Sequence, residues 1–448
     1  MKDLTSGPEG KLIFQFAAPM LLGNVFQQLF NIADSIIVGN FIGKEALAAV
    51  GASFPVVFIL ISLVIGLVMG TTVVISQYFG ARDMVRVKKA IDTMYISTFF
   101  GSILLTFIGF IFSAPLLRLL KLPEEIMPQT IQYLHIFIGG LILMFGYNGT
   151  SAALRGLGDS KTPLYFLIIA TVANIILDIL FVAFLKMGIA GAAYATVISN
   201  GIAFLLAAIY LNKTHKIINV KINGLIFDRD IFFQSLRIGL PNSIQQTIVA
   251  LGGLVLMGIV NKFGTNVIAA FSVASRLDAI ATVPAMSFAQ AISAFTGQNI
   301  GANKEERIKT GLASTLKMMA TVTFFTTLFI ILAGKYIISL FTNDGEVIRI
   351  GAQYLTIVSL FYILFTLMFI YSGVMRGAGD SFMPMVITLL SQWIIRIPFA
   401  WIMSGILGVT GIWWSIPASW LVGFSLSYFY YKTGRWKKKR VVTYIEEF

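Results

Sequence analysis

Apolar residues in this chain come in long blocks rather than in one-sided stripes. Residues 104–112, 136–145, 165–176 and 322–333 are nearly uninterrupted hydrophobic runs. A bilayer core takes about 20 such residues per helix. The chain accommodates twelve segments of that kind, near 12–38, 47–78, 91–114, 128–152, 163–184 and 189–211, then 236–260, 266–299, 311–333, 347–375, 383–404 and 410–431. Six fall in each half. The second and eighth exceed what a span requires, which predicts tilt or projection from the membrane. The pattern is that of an all-α polytopic membrane protein.

The polar connectors between these blocks repeat. Ala153-Leu154-Arg155-Gly156-Leu157-Gly158-Asp159-Ser160 returns as Val374-Met375-Arg376-Gly377-Ala378-Gly379-Asp380-Ser381, a lag of 221 residues (159 to 380). Gln77-Tyr78-Phe79-Gly80-Ala81 returns as Gln298-Asn299-Ile300-Gly301-Ala302 at the same lag, and Asn40-Phe41-Ile42-Gly43 as Asn261-Lys262-Phe263-Gly264. The chain is therefore a tandem duplication with both copies in one orientation, as in transporters built from parallel repeats. It reads as an N-terminal lobe over 1–211, a polar linker over 212–235, a C-terminal lobe over 236–431 and a basic tail over 432–448.

Composition supports the membrane assignment: 57% of residues are hydrophobic and 12% charged, against about 25% charged in soluble domains. The net charge of +13 follows topology. Arg82, Arg86, Lys88, Lys89 and the 437–440 run fall on the side that holds both termini, while Glu45, Glu124, Glu125, Asp344 and Glu346 fall on the other. The positive-inside rule puts both termini in the cytoplasm, and nucleic-acid binding lacks any of its motifs. The chain has no cysteine, which removes disulfides and thiol chemistry. The first apolar stretch runs past Asp34 without a cleavage site, so it is no signal peptide.

Polar residues inside spans are costly and mark function. In the first span Gln27, Asn31 and Asp34 share a helical face. In the fifth, Asn174 and Asp178 lie one turn apart. Each Asp precedes an exoplasmic turn (39–44 and 186–188) by several residues, which predicts similar depth, and Thr196 comes back to that depth on the next helix. Two carboxylates, an amide and a hydroxyl facing one apolar cavity can hold a proton or coordinate a small hard cation such as Na⁺. The alternative is that they only hydrogen-bond neighbouring helices. The second half does not copy the set. Ile395 and Phe399 stand where Asn174 and Asp178 would recur, and Arg396 lies nearby in the middle of the eleventh span. Arg276 and Asp278 are expected near the outer end of the eighth span as a local interfacial pair.

Pro19, Pro55, Pro241, Pro284, Pro398 and Pro417, with Gly66 and Gly70, are expected to interrupt or bend their spans. Pro19 lies about four turns from Asp34 and is a candidate hinge. The paired Arg-Gly-x-Gly-Asp-Ser blocks lack the strand and the Gly-Lys-Thr or Gly-Lys-Ser of a nucleotide loop. A tight turn with Asp or Ser capping the next helix, ahead of Pro163 or Pro384, accounts for them. Without an ATP site, transport runs on an ion gradient and needs no cofactor.

Pro19, the 31–39 stretch with Asp34, Gly43 with Ala48-Ala49-Val50-Gly51, Gln77 with Gly80, the paired Arg-Gly-x-Gly-Asp blocks, Asn174-Ile175-Ile176-Leu177-Asp178 and Gly191-Ala192-Ala193 together resemble the multidrug and toxic compound extrusion (MATE) transporters of bacterial or archaeal type. The resemblance covers essentially the full length. It implies two six-helix lobes with pseudo-two-fold symmetry around a central cavity, and export of organic cations and drugs by antiport with H⁺ or Na⁺, by a monomer in the cytoplasmic membrane. It also implies that Asp34, Asn174, Asp178 and Thr196 form the coupling site, with Gln27 and Tyr133 lining the cavity; Asn31 and Arg396 are further candidates for the cavity and its substrate. Some members carry an acid on the seventh helix; 238–260 here has none, which argues against coupling through the second lobe. A lipid-linked saccharide flippase of the same superfamily is the alternative, for which a lone Arg396 offers little basic character. An intramembrane enzyme would need a nucleophile or metal set, and neither His135 nor His215 has a second His at ligand spacing.

Overall fold

The computed structural model describes residues 2–119, 122–214 and 224–442. Residues 215–223 of the linker, with His215, Lys216 and Lys221, and 443–448 of the tail lie outside them, as does the side chain of Pro55. The elements are α1 (Glu9–Phe41), α2 (Lys44–Gly80), α3 (Met84–Leu119), α4 (Met127–Gly139), α5 (Leu141–Gly156), α6 (Lys161–Asp178) and α7 (Ile189–Thr214), followed by α8 (Arg229–Val260), α9 (Thr265–Gly301), α10 (Glu305–Ser339), α11 (Gly345–Ser359), α12 (Tyr362–Gly377), α13 (Phe382–Leu389), α14 (Ile397–Leu407) and α15 (Val409–Lys432). No strand occurs among the described residues.

Among the described residues nine helical segments are individually long and apolar enough to cross a membrane, and two bent pairs bring the number to eleven. The 24-residue α15, rich in Trp, Tyr and Ser, is long enough to be the twelfth. The chain is thus an all-α, multi-pass membrane protein. It divides into two compact units, one of residues 1–3 and 18–243, the other of 4–17 and 244–448. In the first, α7 packs on α4, α5 and α6, and α2 on α3, α4 and α5. In the second, α9 packs on α10, α11 and α12, and α15 on α12 and α14.

The breaks in the spans fall elsewhere than at these prolines. Pro19, Pro241, Pro284 and Pro417 all sit inside continuous helices. The spans expected over 128–152 and 347–375 are each broken instead, α4 to α5 by 49° and α11 to α12 by 48°. The two breaks are one repeat apart, although one passes through Gly139-Gly140 and the other through Leu360-Phe361. A threonine on the neighbouring helix meets each break. Thr106 Oγ1 donates to the Ile138 carbonyl at 3.0 Å, and Thr327 Oγ1, its repeat equivalent, donates to the Ser359 carbonyl at 2.9 Å. A helix break is tolerated at membrane depth when a neighbouring side chain adds a donor to the carbonyls there.

Gly66 and Gly70 do not break α2, which runs straight through them. A Cβ on Gly66 would stand 2.6 Å from the Gly239 carbonyl oxygen, and one on Gly70 would stand 2.1 Å from that of Ser235. The pair is a small-xxx-small contact that admits the start of α8.

The Arg-Gly-x-Gly-Asp blocks are the expected turns. Asp159 N and Asp380 N donate back to Leu154 O and Met375 O, closing α5 and α12. Gly158 and Gly379 supply the left-handed backbone there, with φ of 81° and 96°. Asp159 Oδ1 accepts from the Lys161 and Thr162 amides, and Asp380 Oδ1 from that of Met383. The cap is therefore Asp in both copies. Ser160 and Ser381 provide no side-chain cap bond.

Candidate ion-coupling site

The first unit gathers four of the predicted polar side chains inside its protein interior. Asp34 on α1, Asn174 and Asp178 on α6 and Thr196 on α7 are 8%, 0%, 0% and 7% exposed. Asp34 lies about two turns before the C-terminal end of α1. Asp178 is the last residue of regular α6, and a π-helical segment (Ile179–Phe184) continues that span, with Leu185 N donating to Leu180 O at 2.8 Å. Such wide turns interrupt the regular ladder and often accompany functional sites. Val182 of this segment packs with Ile37, Val38, Ala46, Ala49, Tyr133, Ile189, Ala192 and Ala193 in one apolar cluster.

Asp178 lies within electrostatic reach of Asp34, and Tyr133 within reach of both. The Asn174 amide stands beside the Asp178 carboxylate. Even so, no protein hydrogen bond of good geometry reaches Asp34 Oδ1, either carboxylate oxygen of Asp178, or either polar atom of the Asn174 amide. Buried polar groups without such a partner are uncommon in folded proteins, which sets these side chains apart. Thr196 is buried on the adjoining helix, and its side chain makes no hydrogen bond to either carboxylate among the described residues. No group of three or more His, Cys, Asp or Glu side chains is gathered among the described residues. A cation here would therefore be held by two carboxylates and neutral oxygens.

The other predicted side chains separate. Gln27 and Asn31 are exposed while Asp34 on the same helix is buried. Tyr133, expected to line the cavity, is buried beside the carboxylates, stacked on Phe137 at 6.3 Å between ring centroids. Pro19 is buried within α1.

Arg396 lies in the second unit at the end of a second π-helical segment (Leu390–Arg396), where its Nη1 donates to Gln392 Oε1 at 3.0 Å. Asp278 is not paired with Arg276. It sits more than three turns into α9, about 20 Å along the axis, and faces the hydroxyls of Tyr354 and Tyr362 with Arg396 within electrostatic reach. Counting from Gly264, the turn that starts α9, would have placed Asp278 at that depth from sequence. Nothing in the sequence marks Tyr354 and Tyr362 as its neighbours, since they come from α11 and α12.

Comparison with known proteins gives the frame for this geometry. The MatE family model matches the chain twice, over residues 19–180 and 241–402, once per repeat. The chain is 36% identical over 442 residues to the probable multidrug resistance protein YpnP of Bacillus subtilis, covering 98% of this chain and 99% of that protein. It is 35% identical to YoeA of the same organism, also described as a probable multidrug resistance protein, over 96% of this chain and 95% of that one. Among solved structures, an outward-facing multidrug resistance MATE family transporter of the MOP superfamily aligns with a TM-score of 0.92 at 26% identity, covering 98% of this chain and 99% of that one. The chain belongs to the MatE family: it is a membrane transporter and not an enzyme.

Proposed function

We infer that this protein is a secondary active multidrug exporter, which moves organic and mostly cationic compounds out of the cell in exchange for H⁺ or Na⁺. The observation that carries the reading is the pair of carboxylates, Asp34 and Asp178, inside an apolar shell with unpaired oxygens. Taking two like charges out of water without compensation costs several kcal/mol per ion. The site is therefore cheap to bury only when a proton or a small cation fills it. A transporter whose conformations differ in how well they enclose that cation converts an ion gradient into movement. In this reading Asp34, Asn174, Asp178 and Thr196 hold the ion, Tyr133 closes the site, and Gln27 and Asn31 lie on the path of the substrate. Pro19 is the point at which α1 bends with the state of Asp34. The relatives named as multidrug resistance proteins support the substrate class. The protein acts as a monomer in the cytoplasmic membrane, with both termini inside and no cofactor, the basic connectors facing the anionic inner leaflet. The lipid-linked saccharide alternative gains nothing, because Arg396 stands beside a carboxylate instead of joining other basic groups.

The test is efflux of a fluorescent organic cation from proteoliposomes with proton and sodium gradients imposed separately. Export that follows one of the two gradients is expected. Export that follows neither would overturn the reading.

A further inference from the structure

The second unit holds a polar cluster, with Tyr354 and Tyr362 buried and Asp278 and Arg396 half-buried, that the coupling site does not use. Asp278 (α9), Tyr354 (α11), Tyr362 (α12) and Arg396 come from four separate segments. Asp278 Oδ1, Tyr362 Oη and Arg396 Nε are left without a hydrogen-bond partner of good geometry, although Tyr354 and Tyr362 both approach the carboxylate. Tyr354 is the repeat equivalent of Tyr133 (133 to 354 is again the lag of 221). Each unit therefore buries the same tyrosine beside an intramembrane carboxylate. The carboxylates themselves come from different helices, α1 and α6 in one unit and α9 in the other. Arg396 has no counterpart in the first unit, where Ile175 occupies its place.

The charge balance differs accordingly. Asp34 and Asp178 face each other with no basic side chain among their electrostatic neighbours. Asp278 faces Arg396, which Gln392 anchors at 3.0 Å. Among the described residues no direct ion pair joins Asp278 and Arg396, so the compensation is made across a gap. Arg276 is exposed and forms none either. We propose that Arg396 is a tethered counter-cation that permanently fills the need of Asp278, so that the second unit carries a carboxylate site closed to exchangeable H⁺ and Na⁺. The contrast with the first unit rests on the function proposed above; the assignment for the second unit does not.

Removing the guanidinium and keeping the carboxylate should open the site to free cations. The experiment compares thermal unfolding of the full-length protein in detergent with Na⁺ exchanged for choline at constant ionic strength, and on lowering the pH. Arg396→Gln is expected to gain a saturable rise in Tm, on the order of 2–4 °C, with Na⁺ or with acid. The gain should be absent from the parent protein and from Arg396→Lys, and abolished in Arg396→Gln/Asp278→Asn. Because only the increment that depends on Asp278 is read, the result is independent of whether Asp34 and Asp178 couple transport. If Arg396→Gln fails to fold, Asp278→Asn added to it should restore folding, as expected when the fault is an uncompensated carboxylate. An unchanged cation response in Arg396→Gln, a response that survives Asp278→Asn, or a folding defect that Asp278→Asn does not rescue each overturns the proposal.

Discussion

Thr106 donates its hydroxyl to the carbonyl of Ile138 at 3.0 Å, at the point where the fourth span turns by 49°. Thr327 repeats the contact on Ser359 in the second unit. Replacing either threonine by valine keeps the shape and removes the hydroxyl that donates to a carbonyl at a helix break. Each change should lower stability by about 0.5–1.5 kcal/mol, read as a lower unfolding temperature in detergent, and Thr327→Ser should recover most of the loss. Valine variants as stable as the parent would mean that the bend is held by packing alone.

Asp34→Asn and Asp178→Asn each remove one charge without changing size. Both should abolish gradient-driven efflux in proteoliposomes while leaving expression and unfolding temperature close to the parent. Full efflux by both variants would sink the assignment of the coupling site.

The first glycine of each Arg-Gly-x-Gly-Asp block is a packing requirement of different severity in the two units. A Cβ on Gly377 would lie 2.2 Å from the Ser293 carbonyl oxygen, whereas one on Gly156 would meet the Thr72 oxygen at 3.0 Å and the Ile75 side chain at 2.8 Å. Backbone cannot give way as a side chain can. Gly377→Ala should therefore cost roughly 1–3 kcal/mol, and Gly156→Ala less. The reverse order in a denaturation series would contradict this account.

Asp228 immediately precedes α8. Its carboxylate accepts from the Ile231 and Asp230 amides and lies 3.4 Å from Lys89 Nζ. These contacts, the Ile231 amide first, hold its pKa below the ordinary carboxylate value. A group held more acidic in the folded state stabilises it at every pH above the unfolded value of about 3.9, and that contribution is lost as the pH falls through the folded value. Asp228→Ala should lose about 1 kcal/mol at neutral pH. Its unfolding temperature should also fall less on acidification than that of the parent. An equal acid response in both would exclude Asp228 as a contributor.

Much of this protein is written along the chain. Twelve spans follow from runs of apolar residues, because a bilayer core demands them one segment at a time. The turns at Asp159 and Asp380 follow from local rules of capping and left-handed backbone. Depth along a helix can be counted from its turns, which is why Asp34, Asn174, Asp178 and Thr196 could be singled out before any contact was known. Even the divergence of the two halves at 178 and 399 is a sequence fact.

What tertiary structure decided is everything that depends on a neighbour from another segment. The bends at Gly139-Gly140 and Leu360-Phe361 share no residue type, and what they have in common is a hydrogen bond from a threonine 32 residues away in each copy. Gly66 and Gly70 look like helix breakers until the backbone of α8 comes within reach of them. Asp278 looks like half of a pair with Arg276 until α11, α12 and the segment ending at Arg396 surround it. Sequence periodicity fixes which face of a helix a residue occupies and how deep it lies. Only the packed fold says what stands opposite, and a charge buried in a membrane takes its meaning from that partner.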